Sequence, residues 1–107
     1  EEQQLYEYDE YKLQIRRLDF GKKRGIYEFS TYDPETKDTP PSWGLHPYAE
    51  VGVILEGKME VNLDGTVYLL GPGDSIYIKP NLYHTMRNAG DTPCRSFWHL
   101  QIMDDSV

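Results

Sequence analysis

Apolar and polar residues alternate along most of this chain, and no stretch beyond residue 20 keeps a helical apolar period for long. Between Tyr11 and Leu18, the residues Tyr11, Leu13 and Ile15 alternate with Lys12, Gln14 and Arg16. Side chains of a strand point to opposite faces in turn, so this spacing predicts a strand with one buried face. Residues 25–32 read as its partner, with Gly21 in the turn between them. Residues 33–42 carry Pro34, Pro40 and Pro41 and predict a loop. Val51 to Leu55 is a continuous apolar run of strand length, and in residues 58–63 Met59, Val61 and Leu63 face one way. Asp64-Gly65 is a strong hairpin turn, followed by a strand over 66–70. Gly71-Pro72-Gly73-Asp74 turns the chain into 75–78, and Lys79-Pro80-Asn81 breaks that strand. Strands over 82–88 and 95–103 complete the set, separated by a turn at Gly90-Asp91-Thr92-Pro93. Residues 1–10 are ambiguous. Leu5-Tyr6-Glu7-Tyr8 alternates like a strand or a docked arm, whereas Glu7, Asp9 and Glu10 could open a short helix.

Short strands at this spacing predict an all-β domain, a sandwich or a small closed barrel. At 107 residues and 38% hydrophobic content, one domain with one small core is expected. Aromatic residues reach 13%, mostly Tyr, which suits strands and pocket walls. The formal net charge of -7 argues against direct nucleic-acid contact, which needs clustered Lys and Arg. A local basic group of Arg16, Arg17, Lys22, Lys23 and Arg24 reads as a solvated hairpin end. No apolar run approaches the roughly 20 residues that span a bilayer, so no membrane partner is expected. The polar opening Glu1-Glu2-Gln3-Gln4 is unlike a secretory signal, and the single Cys94 permits no internal disulfide; both suggest a cytoplasmic location. Cys94 follows Pro93 and reads as a small apolar filler.

If residues 44–50 are extended, Gly44, His46, Tyr48 and Glu50 share a face, and His84 shares one with Met86 and Asn88. Two imidazoles and one carboxylate make a facial-triad ligand set with open positions. His99 is a second-tier candidate. Alternation puts His99 and Gln101 on one face and Trp98, Leu100 and Ile102 on the other, so His99 joins the site if its face is the inner one. Tyr48, Tyr77 and Tyr83 are candidates for a pocket wall. No phosphate-binding glycine loop and no Gly-x-Ser-x-Gly elbow occurs.

The spacing of these residues resembles the two motifs of the cupin superfamily, over roughly residues 40–103. The first motif matches Gly44-Leu45-His46-Pro47-Tyr48-Ala49-Glu50, with Gly57 after six further residues. The second matches Gly73, Lys79-Pro80-Asn81, His84 and Asn88. Three positions depart from the pattern: Gly44 stands for the first His, Lys79 for a Pro and Asn81 for a Gly. The resemblance implies a cupin-type double-stranded β-helix, or jelly-roll barrel, as a single domain over 1–107 with an N-terminal arm at 1–10. It implies His46, Glu50 and His84 as ligands to a divalent transition metal such as Zn, Fe, Ni or Mn. Tyr48, Tyr77, Met86 and His99 are then the residues expected around a small-molecule ligand. With Gly44 in place of a fourth ligand, Gly44→His is expected to strengthen metal binding.

Arg95-Ser-Phe-Trp-His-Leu and Tyr77-Ile78-Lys79-Pro80 further resemble the effector-binding domains of AraC-type transcription regulators. That resemblance implies a homodimeric module sensing a sugar-like or other small polar metabolite. The alternative is a stand-alone metal-dependent cupin enzyme of isomerase, dioxygenase or lyase type, with Tyr48 or His99 for proton transfer.

Overall fold

The computed structural model describes residues 2–102. Ten strands make up nearly all of it: β1 (Glu2–Tyr8), β2 (Leu13–Asp19), β3 (Ile26–Tyr32), β4 (Ser42–Gly44), β5 (Ala49–Glu56), β6 (Met59–Leu63), β7 (Thr66–Leu70), β8 (Ser75–Ile78), β9 (His84–Asn88) and β10 (Cys94–Gln101). They form two antiparallel sheets, one ordered β1-β2-β3-β10-β5-β8 and the other β4-β9-β6-β7. This is the all-β barrel that the turns and alternation predict, in the two-sheet form that the cupin resemblance implies. Met103, the predicted last residue of the final strand, lies outside the described residues.

Of the ambiguous N-terminal residues, Glu2–Tyr8 form a strand, while Asp9 and Glu10 open a short 3-10 turn. β1 pairs with β2 along its whole length, from Glu2 opposite Asp19 to Tyr8 opposite Leu13. Tyr11 sits in a single 3-10 turn (Asp9–Tyr11), so β2 starts later than the alternation suggests. Lys12 closes that turn in the left-handed region at φ 58.

The inner faces of both sheets supply one core. Leu13, Tyr32, Ile54, Cys94, Trp98 and Leu100 from the larger sheet meet Met59, Val61 and Met86 from the smaller. Trp98 lies across Gly52, its partner on β5, where an added Cβ would fall 2.6 Å from Trp98 Cδ2. The Trp98 indole N–H donates to Ser96 Oγ at 2.8 Å, so the ring is held in one orientation. Asn88, the last residue of the second motif, is buried and structural. Its amide donates to the carbonyls of Tyr32 (2.9 Å) and Thr92 (2.8 Å), and its carbonyl accepts from the Gly90 N–H (2.7 Å). Burial pushes the Cys94 thiol up to about 11, which keeps it protonated and matches a filler.

Candidate metal centre

The two sheets each bring part of one cluster. His84 opens β9 in the smaller sheet, opposite Gly44 on β4. Glu50 lies on β5 in the larger sheet, opposite Leu100 on β10. The expectation that 44–50 is one extended strand is corrected: β4 belongs to one sheet and β5 to the other, and the chain crosses between them. His46 therefore reaches the site from a connecting loop rather than from the pleat of a strand. That loop is tied down, because the Asn81 N–H donates to the His46 carbonyl at 2.6 Å. Asn81 has φ 62, a left-handed conformation that Asn tolerates through its short polar side chain. This accounts for an Asn where the motif carries Gly.

One ligand atom from each of His46, Glu50 and His84 lies within 4.8 Å of the others. His46 Nε2 is 3.3 Å from Glu50 Oε2, and His84 Nε2 is 3.7 Å from the same oxygen. His84 is buried, and its Nδ1 is 2.9 Å from the carbonyl oxygen of Leu82. A carbonyl only accepts, so Nδ1 carries a proton and Nε2 is the ring atom that faces the site as a ligand. Glu50 is also buried, and its Oε2 has no hydrogen-bond partner. Burial, and after it the charge of Glu28, pushes the Glu50 carboxyl up to about 7. His46 is held below its ordinary range, first by burial and then by His84 and Arg17. It is therefore neutral near pH 7, the form that ligates metals.

Two observations say what this cluster accommodates. An unpartnered buried carboxylate oxygen facing two imidazole nitrogens is costly and is relieved by a cation between them. Gly44 leaves room for one: a Cβ there would stand 2.7 Å from Nε2 of both His46 and His84. The donor set of two imidazoles and a carboxylate thus fits a divalent transition metal. The same distances revise the expectation for Gly44→His. A histidine would bring its Cβ into the space between the two nitrogens before its ring could ligate anything.

The cluster opens into a cavity of about 500 Å³ between the sheets. Tyr48 and Met86 line it, together with Trp43 and Trp98. The Tyr48 ring stacks on His46 at 5.0 Å and 14°. Its hydroxyl is held protonated above the ordinary range, chiefly by burial and then by Glu50 and Glu28.

Two expected site residues lie elsewhere. His99 is on the outer face of β10, stacked on Tyr27 at 4.9 Å, because Trp98 and Leu100 on either side of it fill the interior. Tyr77 is 57% exposed on β8, because its neighbour Ile78 takes the inward position. Tyr83 is half exposed and stacks on Trp43 at 6.1 Å. Arg17, expected to be solvated, instead lines the cavity, paired with Glu28 at 2.6 Å. The signal was in the alternation, since Tyr11, Leu13 and Ile15 lead directly to Arg17 on the inner face.

Residues 28–100 match the family model described as Cupin domain. Among curated proteins, the chain is similar to "Polyketide synthase CurC" of Streptomyces cyaneus, 39% identical over 51% of this chain and 36% of that protein. It is also similar to "Mannose-1-phosphate guanylyltransferase" of Escherichia coli (strain K12), 33% identical over 69% of this chain and 16% of that protein. The chain thus spans well under half the length of either relative. Among solved structures, AerE from Microcystis aeruginosa superposes with a TM-score of 0.80 at 17% identity, over 95% of this chain and 46% of that one. The cupin domain of an XRE family transcriptional regulator from Enterobacter cloacae gives 0.74 at 15% identity, over 87% of this chain and 99% of that one. Recombinant oxalate oxidase in complex with glycolate gives 0.72 at 18% identity, over 85% of this chain and 51% of that one. At these identities the structural likeness speaks for the fold.

Proposed function

The chain belongs to the cupin family, and on that premise we propose that it is a small-molecule-binding module whose barrel holds a divalent metal on His46, Glu50 and His84. The observation that carries this reading is the cradle itself. Three ligand atoms lie within 4.8 Å of one another around the space that Gly44 leaves open. A bound divalent ion supplies a Lewis-acidic centre for oxygen atoms of the guest. The protein's part is orientation. The Leu82 carbonyl fixes the His84 tautomer, Asn81 fixes the His46 loop, and the Tyr48 hydroxyl is a protonated donor beside them. Three protein ligands leave coordination positions for the guest.

In this reading the module senses a small polar metabolite for a larger regulator, of AraC type by the resemblance of its closing strand. The cupin domain of an XRE family regulator among the fold neighbours supports a regulatory setting. A metal-dependent enzyme is the second reading, favoured by the open coordination positions and by the likeness to oxalate oxidase. The module is taken to be cytoplasmic, without direct nucleic-acid contact, and homodimeric. Exposed Leu5 on the edge strand β1, and exposed Val67 and Leu69 on the edge strand β7, support pairing through sheet edges. Calorimetric titration of metal-stripped protein with zinc tests the central point. One equivalent bound by the wild type and lost in His84→Ala supports the reading; identical heats from both proteins refute it.

A further inference from the structure

The cavity has a second polar pole that the metal cluster does not use. Arg17 on β2 and Glu28 on β3 sit opposite each other in the ladder and both line the cavity. Their side chains are 29% and 12% exposed. Arg17 Nε and Nη2 both donate to Glu28 Oε2, at 2.9 and 2.6 Å. Both bonds converge on a single carboxylate oxygen, which leaves Glu28 Oε1 as an acceptor and Arg17 Nη1 as a donor for a guest.

The chemistry of this pole selects its partner. A free carboxylate or phosphate at Arg17 would meet the Glu28 charge, and a cation at Glu28 would meet the guanidinium. A hydroxyl both donates and accepts, so it satisfies the two free groups at once. The surroundings are flat and aromatic: Tyr6 lies 5.7 Å from the Arg17 guanidinium, and Trp98 is the next residue across the ladder from Glu28. Such faces suit the C–H surface of a hydroxylated carbon chain. At the other pole, a divalent ion with one carboxylate ligand keeps a net positive charge and favours an anionic oxygen.

We propose that Arg17 and Glu28 form a hydroxyl-reading subsite, and that the guest is a hydroxylated carboxylic acid with its carboxylate at the metal pole and its hydroxyls at this pair. The assignment rests on the metal-binding reading above for the carboxylate end only.

The test compares gluconate with hexanoate, an acid of the same chain length without hydroxyls, on zinc-loaded protein, read by the fluorescence of the cavity residues Trp43 and Trp98. Gluconate is expected to bind at least roughly tenfold more tightly, the effect of one hydrogen bond to a charged group. The double variant Arg17→Gln with Glu28→Gln removes both charges together and leaves no unpaired one in the wall. In it, the gluconate-to-hexanoate ratio should fall to about one while zinc titration stays nearly as in the wild type. Should that variant fail to fold, Glu28→Gln alone preserves the shape and should also lower the ratio. Equal binding of the two acids by the wild type, no binding of gluconate, or a ratio unchanged in the variants overturns the proposal. A wild type that takes up no zinc refutes the metal reading instead. The subsite is then decided by the same ratio in metal-free protein, with the same criteria.

Discussion

A single methyl group at position 44 probes the whole centre. The Cβ of Gly44→Ala would stand 2.7 Å from Nε2 of His46, 2.7 Å from Nε2 of His84 and 3.0 Å from Cε1 of His84. Unstrained contacts between such atoms begin near about 3.5 Å, so both rings must retreat by several tenths of an ångström. His46 stands on a loop with 36% of its side chain exposed and can swing away. His84 cannot do so cheaply, because it is buried and its Nδ1–H is bonded to Leu82. Overpacking of this kind costs about 1–3 kcal/mol. The reduced freedom of the unfolded chain returns about 0.4–1 kcal/mol. Metal-free Gly44→Ala should therefore be less stable by about 1 kcal/mol. The effect on metal is larger, because the methyl takes the space between two nitrogen ligands and turns both rings. Misoriented ligands cost about 10–100-fold in affinity, and that is the expected loss. Calorimetric titration with zinc above pH 7, paired with thermal unfolding of the metal-free forms, reads both quantities. Zinc affinity equal to the wild type in a folded Gly44→Ala protein would show that the cradle is not the metal's place.

Glu50 gives a pH signature. Its carboxyl is raised from the ordinary 4.5 to about 7, so between those values the folded state holds more protons than the unfolded one. In metal-free protein this contribution, up to about 3 kcal/mol, is fully present below the unfolded value and is lost as pH rises through 7. Thermal melts of the wild type against Glu50→Gln in a chelating buffer should show that slope in the wild type alone, whereas parallel profiles would contradict it. Zinc affinity should run the opposite way, strengthening as pH rises through 7, because the metal needs the carboxylate. Gly52→Ala should destabilise the fold by about 3 kcal/mol in urea titration, since its Cβ runs into the Trp98 indole that Ser96 holds in place; a loss of a few tenths would mean that the ring moves freely.

The strands were legible because alternation and turn dipeptides are local signals. Asp64-Gly65 does join β6 to β7, and Met59 and Val61 do face the core. What alternation cannot say is which of two apolar-looking faces is the inner one. On β10 the outer face carries Phe97 and His99, which stack with Tyr27, and so it looked as eligible as the face of Trp98. Tyr77 on β8 was misread for the same reason. The run 44–50 looked like one strand because the crossing between sheets leaves no gap in the pattern; Pro47 is the one residue that marks it. His46, Glu50 and His84 were found through motif spacing, whose register survives that crossing. Arg17 was lost to its basic neighbours, although its parity with Leu13 and Ile15 placed it inside. Glu28 could be paired with it only once the register of β2 and β3 was known.

The central claim is that two imidazoles and a carboxylate hold one divalent metal inside the barrel. Cobalt(II) titration followed by visible absorption reads that coordination directly, because ligand-field bands report nitrogen and oxygen donors on the ion. The account predicts bands that saturate at one equivalent in the wild type, vanish in His84→Ala and weaken in Glu50→Gln. Bands of equal strength in all three proteins, or none in the wild type, would contradict it.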